Sequence, residues 1–290
     1  MNWFTLSMVC AISLALSDAY TKKYYAGYSG VYILLVRLGL PGMVLLPFSI
    51  YFGLFDLPLA FWYYMSVLAP LEILAMWLYV LAIRDAPLHL TLPYLAFTPV
   101  FNILTGYLVL DEVISLEGGL GILCIVIGTY LLNLDHVKKS GMNYLAPFRA
   151  IVTLRGSRLM LLASIIYSLT SVYSKQAIQY STPLAFGAFY FTIIGCLLVV
   201  MVLLTQPATV THIARRPRPS LVVGGLMAIM VVTHFMAIAQ VEVAYMIAVK
   251  RTSLIFGMLL GAWMFRDMNF RQHLPAGILM VAGVFLILLY

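Results

Sequence analysis

Residues 244–263 read AYMIAVKRTSLIFGMLLGAW, an apolar run interrupted by two adjacent cations, Lys250 and Arg251. At about 1.5 Å of rise per residue, a helix of this length spans the roughly 30 Å hydrocarbon core of a bilayer. The stretch therefore reads as a membrane helix. A charge at the bilayer centre costs roughly 2.5–3.5 kcal/mol on insertion scales, so each cation needs a partner, a water-filled cavity or a route to the interface.

The run has company along the whole chain. Apolar stretches at 3–21, 30–54, 58–83, 88–110, 115–134, 158–180, 184–206, 220–240, 243–265 and 274–290 predict ten transmembrane helices. With 63% hydrophobic and 9% charged residues and a mean hydropathy of +1.02, the composition excludes an ordinary soluble domain. The runs are continuous, whereas a barrel alternates in segments of about ten residues, so the expected fold is an all-α membrane protein. The first run lacks a basic segment before it and a small-residue cleavage site, and reads as a retained helix. Cys10, Cys124 and Cys196 lie in separate runs without CxxC spacing, and the histidines form no HxxxH pair. Neither a metal site nor a cofactor is implied.

The net charge of +7 is unevenly placed. The loops after odd-numbered helices hold Lys22, Lys23, Arg84, Lys138, Lys139, Arg149, Arg155, Arg158, Arg215, Arg216, Arg218, Arg266 and Arg271. The opposite loops carry Asp56, Asp111, Glu112, Glu117 and Glu242. Because short basic loops stay in the cytoplasm, both termini are expected on the non-cytoplasmic face of an inner membrane. Contact with anionic lipid accounts for these charges without a nucleic-acid partner.

The long polar linker, residues 136–157, divides the helices five and five. Across it the halves 1–135 and 158–290 echo each other. AYTKK (residues 19–23) matches VYSKQ (172–176) at an offset of 153, and an offset of 155 pairs Gly106 with Gly261, Glu112 with Asp267 and Gly128 with Gly283. An odd number of helices per unit makes the second enter from the opposite side, so the expected architecture is two inverted five-helix repeats. Such repeats place a substrate site near the midplane.

The stretch LPYLAFTPVFNILTGYLVLDEVISLEGGLGILCIVIGTYLL (92–132) resembles the end of an EamA-type repeat of the drug/metabolite transporter superfamily, as does AVKRTSLIFGMLLGAWMFRD with PAGILMVAGVFLIL (248–267, 275–288). Lys22 and Arg37 also fit the pattern. The resemblance implies a secondary transporter, an exporter or exchanger of a small polar metabolite such as an amino acid, with no enzyme activity.

The ionisable residues inside helices are Asp18, Arg37, Glu72, Lys175, Lys250 and Arg251. Asp18 and Arg37 lie about equally far from the first turn and are expected to form a structural pair across the hairpin. Lys175 snorkels or meets Glu242. Glu72 is either a proton-coupling carboxylate or a partner for a buried cation. Lys250 and Arg251 point about 100 degrees apart. Either one snorkels and the other is bridged, or at least one lines a cavity and binds an anionic group. At the repeat register Lys250 and Arg251 face Leu95 and Ala96, Glu72 faces Met227, and Arg37 faces Tyr190, so a symmetric scaffold carries asymmetric charge.

In the fourth helix Thr91, Thr98, Asn102 and Thr105 fall on one face, for substrate or for interhelical hydrogen bonds, and Pro93 and Pro99 interrupt it. Gly257 and Gly261 form a GxxxG expected to pack closely. Trp77, Tyr79, Tyr94, His234 and Tyr245 are candidates for walling the site. The expected partners are a small-molecule substrate and the lipid bilayer, with the chain a monomer or homodimer. The competing readings are a membrane enzyme acting on lipid-linked substrates and a non-transporting sensor or assembly partner. The first would cluster Asp, His or Arg at a helix end. The second needs no polar face turned to a cavity.

Overall fold

A computed structural model describes residues 1–25, 27–85, 94–139, 154–207, 209, 217–265 and 270–289. Among them every regular element is helical. The helices are α1 (Trp3–Tyr25), α2 (Gly30–Tyr51), α3 (Leu59–Asp85), α4 (Thr98–Leu110), α5 (Leu116–Lys139), α6 (Arg155–Ile178), α7 (Pro183–Thr205), α8 (Pro217–Ile238), α9a (Val243–Lys250), α9b (Ser253–Phe265) and α10 (Phe270–Leu288). Spans α1, α2, α3, α7, α8 and α9 are long and apolar enough to cross a membrane, and α4, α5 and α10 contribute shorter apolar helices.

Helix α6 is less apolar because it carries buried Ser157, Ser164, Ser168, Ser171 and Ser174. Their hydroxyls are not wasted: Ser164 donates to Leu161 O at 2.8 Å and Ser171 to Tyr167 O at 2.7 Å, so small polar side chains line a helix face without orphan donors. Large apolar side chains such as Phe48, Leu104, Ile278 and Phe285 face outward, where hydrocarbon is their solvent.

Most of the main helix contacts, α7 on α8 apart, recur when the halves are exchanged. α5 lies on α10 and α2 on α7; α1 packs on α8 as α6 packs on α3; α1 meets α9b as α6 meets α4; and α4 crosses α9a. Glycines permit the two self-paired contacts. A Cβ on Gly195 would stand 2.9 Å from the Gly42 Cα, and one on Gly121 would stand 2.6 Å from Gly283 O. Both distances are shorter than packed atoms accept. Gly257 and Gly261 behave otherwise: among the described residues a Cβ on either meets nothing within 4 Å. Among the described residues the GxxxG of α9b is thus not the close-packing motif expected from the sequence.

Three local distortions follow from the sequence. Pro41 has no N–H for the carbonyl of Arg37, and the turn before it widens to a π-helix over Leu35–Gly39, with Leu40 N–H reaching Leu35 O. Pro99 likewise deprives Leu95 O of its donor, and the Thr98 hydroxyl takes that carbonyl at 2.7 Å. The chain turns at Ala96–Phe97 before α4 begins. The third distortion was not anticipated from sequence: residues 243–265 do not form one continuous helix. The backbone turns at Arg251–Thr252, where Thr252, Leu254 and Ile255 N–H groups bond to carbonyls three residues back and the Thr252 hydroxyl caps Val249 O at 2.7 Å. With the 155 offset, Ala96–Phe97 and Arg251–Thr252 are equivalent positions.

Lys175 corrects a sequence expectation. It does not pair with Glu242; its Nζ lies 2.6 Å from Glu112 Oε1 and 2.6 Å from Val241 O. Glu112 Oε2 accepts Val243 N–H at 2.9 Å, so one carboxylate ties α6 to the start of α9a. Both acids end on the same side by helix count, and only the fold separates them.

Two outcomes follow. Gly195→Leu should lower the thermal unfolding midpoint of the detergent-purified protein, by overpacking worth about 1–3 kcal/mol, while Gly225→Ala, which meets no atom within 4 Å, should not; equal effects would show that backbone contact does not govern stability there. Glu112→Gln keeps an acceptor for Val243 but removes the ion pair. Its expected cost of roughly 1–3 kcal/mol lies below that of a fully buried pair, since Lys175 is 23% exposed.

Candidate functional site

The breaks in the fourth and ninth spans border a cavity of about 450 Å³ enclosed by α1, α2, α3, α6, α7, α8 and both broken spans. That volume suits a small metabolite. Its walls bring together Asp18, Arg37, Glu72, Tyr79, Thr98, His234, Lys250 and Arg251. Three other residues named from the sequence are placed elsewhere. Tyr94 packs with Ala82 and Met160. Tyr245 lies under the start of α5, where its hydroxyl accepts Ser115 N–H at 3.0 Å. Asn102 is buried one turn along α4 from Thr98, outside the cavity lining, with neither amide atom hydrogen-bonded. Thr105 donates to Phe101 O at 3.0 Å, Trp77 is 46% exposed, and Thr91 lies outside the described residues.

Each ionisable wall residue has a distinct environment. Arg37, presented by the π turn, pairs with Asp18 at 2.6 Å and points a second nitrogen to Met227 Sδ at 3.8 Å. Glu72 Oε2 accepts the Tyr190 O–H at 3.0 Å. Arg251, at the α9 break, donates from Nη2 to Thr98 Oγ1 at 2.9 Å, while its Nε is buried without a partner. This bond joins the two broken spans. Lys250 makes no hydrogen bond or ion pair with the described residues and lies within the electrostatic reach of Glu72 and Asp18. His234 Nδ1 is buried and unpartnered, with Lys250 and Arg251 as its charged neighbours. No cluster of metal-ligating side chains occurs among the described residues.

The wall is built in register-related pairs. At offset 153, Asp18 answers Ser171, Thr21 answers Ser174 and Arg37 answers Tyr190; at offset 155, Glu72 answers Met227, Tyr79 answers His234, Leu95 answers Lys250 and Thr98 answers Ser253. Two contacts are themselves equivalents: Arg37 on Met227 and Tyr190 on Glu72. One half opposes a cation to a thioether, and the other opposes a phenol to a carboxyl.

A sequence profile of the EamA-like transporter family matches residues 1–134 and 154–289. The chain belongs to the EamA-like transporter family. It is therefore a multi-pass membrane protein of the drug/metabolite transporter superfamily, whose members are transporters rather than enzymes. No curated protein matches it. A crystal structure of a protein superposes with a TM-score of 0.72 at 15% identity, covering 98% of each chain, which shows the same fold in a distant sequence.

Within this EamA-like chain, sequence reasoning missed Tyr167, Thr170, Ser171, Ser174 and Tyr190 as cavity residues. Tyrosines in membrane helices read as interfacial anchors and serines as packing residues. The available signal was register: Tyr190 is the counterpart of Arg37, and Ser171 of Asp18. For the Asp18–Arg37 pair, whose carboxylate is half exposed, a double-mutant cycle on unfolding with Asp18→Asn and Arg37→Gln should give a coupling energy of about 0.5–1 kcal/mol. Additive effects would mean the two side chains hold nothing together.

Proposed function

We propose that the chain is a secondary transporter in an inner membrane that exports or exchanges a small polar metabolite, such as an amino acid or a compact amphipathic compound, by alternating access. The observation that carries the reading is the cavity lined by register-related residues of both halves and bordered by both helix breaks. Residues 1–135 and 158–290 are inverted repeats about the basic cytoplasmic linker 136–157, with both termini on the far side. Rocking one repeat against the other exposes the cavity to each face in turn. The exchange pattern of helix contacts and the paired breaks support this. Partners are the substrate and the bilayer, with no nucleic acid or cofactor; the chain acts as a monomer or homodimer.

Within that cycle the broken helices set side-chain groups where a substrate can use them. Lys250 and Arg251 hold its polar end. Glu72, reached from the cavity and held by Tyr190, exchanges protons with the transport cycle.

Purified protein in liposomes, scanned for uptake of metabolites with and without a pH gradient, tests the reading. Lys250→Ala and Arg251→Ala should each cut transport at least about tenfold, a loss of roughly 1.4 kcal/mol, with expression near normal; unchanged kinetics in both would remove them from the site. Glu72→Gln keeps an acceptor for Tyr190 but carries no exchangeable proton. Uptake driven by a pH gradient should fall while substrate exchange persists, and equal loss of both would assign Glu72 to binding instead.

A further inference from the structure

The cavity's donors and acceptors do not balance. Its carboxylates are engaged: Asp18 by Arg37 at 2.6 Å and Glu72 by the Tyr190 hydroxyl at 3.0 Å. Three of its side-chain nitrogens are not. Lys250 forms no hydrogen bond or ion pair with the described residues, Arg251 Nε is buried unpartnered, and His234 Nδ1 is buried unpartnered. An imidazole nitrogen donates in the tautomer that carries its proton there. Among the described lining residues, the cations Arg37, Lys250 and Arg251 also outnumber the carboxyls Asp18 and Glu72.

Leaving such groups bare is costly. A buried donor without a partner loses roughly 1–3 kcal/mol, and more when charged. The walls supply them no hydrogen-bond partner: Glu72 and Asp18 act on Lys250 only at a distance and are engaged elsewhere, Tyr79 and Leu95, the register counterparts of His234 and Lys250, carry no negative charge, and Thr98 is already taken by Arg251. An occupant has to bring the acceptors.

From this imbalance, we infer that the substrate is a small organic anion of net negative charge, whose carboxylate or phosphate oxygens are held between Lys250, His234 Nδ1 and Arg251 Nε. The inference rests on the transport reading for its biological sense, but the binding site it names stands by itself. Oxyanion oxygens accept several N–H donors at once, and charge-assisted bonds of this kind are roughly twice as strong as neutral ones. A neutral zwitterion would cancel the charge of its own oxyanion with an ammonium group and so leave the cavity's excess of cations unmet. A cation would add to an existing excess of positive charge.

The test pairs binding with flux on the full-length protein. Thermal unfolding midpoints in detergent and counterflow in liposomes at clamped membrane potential are measured with malate and glutamate, glycerol phosphate, serine and phenylalanine, and lysine and putrescine. Malate, glutamate or glycerol phosphate should raise the midpoint and drive counterflow, and the carboxylate and phosphate arms separate the two oxyanions. Lys250→Gln should raise the half-saturating anion concentration by about tenfold, and Lys250→Arg should restore most of it, which a merely structural lysine would not require. Stabilisation or counterflow by serine, phenylalanine, lysine or putrescine with no effect of any anion overturns the inference, as does no effect of any compound on the midpoint. Anion stabilisation that depends on Lys250 without flux of any compound sustains the anion site and removes the transport reading instead.

Discussion

Hydrocarbon offers no hydrogen bonds, and this architecture is arranged around that deficiency. Every peptide group within a span needs a partner from the chain itself, so only complete helices can face lipid. The two places where the spans break, Ala96–Phe97 and Arg251–Thr252, are accordingly turned inward, and hydroxyls of Thr98 and Thr252 satisfy the carbonyls left over. The same requirement explains the serine-rich faces of α1 and α6, where the hydroxyls of Ser7, Ser164 and Ser171 donate to backbone carbonyls of their own helix. The cavity is the exception that the rest of the fold permits: polar atoms inside, large apolar side chains outside.

The basic residues make the same point. Thirteen of the seventeen fall, by sequence, at the ends of the apolar runs or between them, and the four left over are Arg37, Lys175, Lys250 and Arg251. Arg37 and Lys175 end on carboxylates. Lys250 and Arg251 do not, and both open onto the cavity, one without a partner and one half satisfied by Thr98. Under the proposed function, these two charges are kept for another molecule.

Length and apolarity made the spans readable in the sequence, because covering a bilayer requires both. Pro99 likewise announced a break in the fourth helix. The break in the ninth left no such mark, since it rests on a threonine hydroxyl and shortened hydrogen bonds that many threonines in membrane helices never form. The partner of Lys175 was misread for a different reason: Glu112 and Glu242 lie on the same side by helix count, and the choice between them is made by how the α4–α5 turn packs on α9a. Tyr190 and Tyr167 escaped notice because residue type alone suits a tyrosine equally to lipid headgroups or to a buried carboxyl. Only the register against the other half distinguishes the two for Tyr190.

The two breaks are equivalent in position but not in kind. Pro99 writes its bend into covalent structure, for no conformation can give that nitrogen a proton. The bend at Arg251–Thr252 has all its amide protons and is held by bonds that can be exchanged for helical ones at little net cost. The molecule thus owns one elbow fixed by covalent structure and one that hydrogen bonds alone hold, and Lys250 and Arg251 ride on the second. Whatever those cations grip would be carried when that elbow flexes.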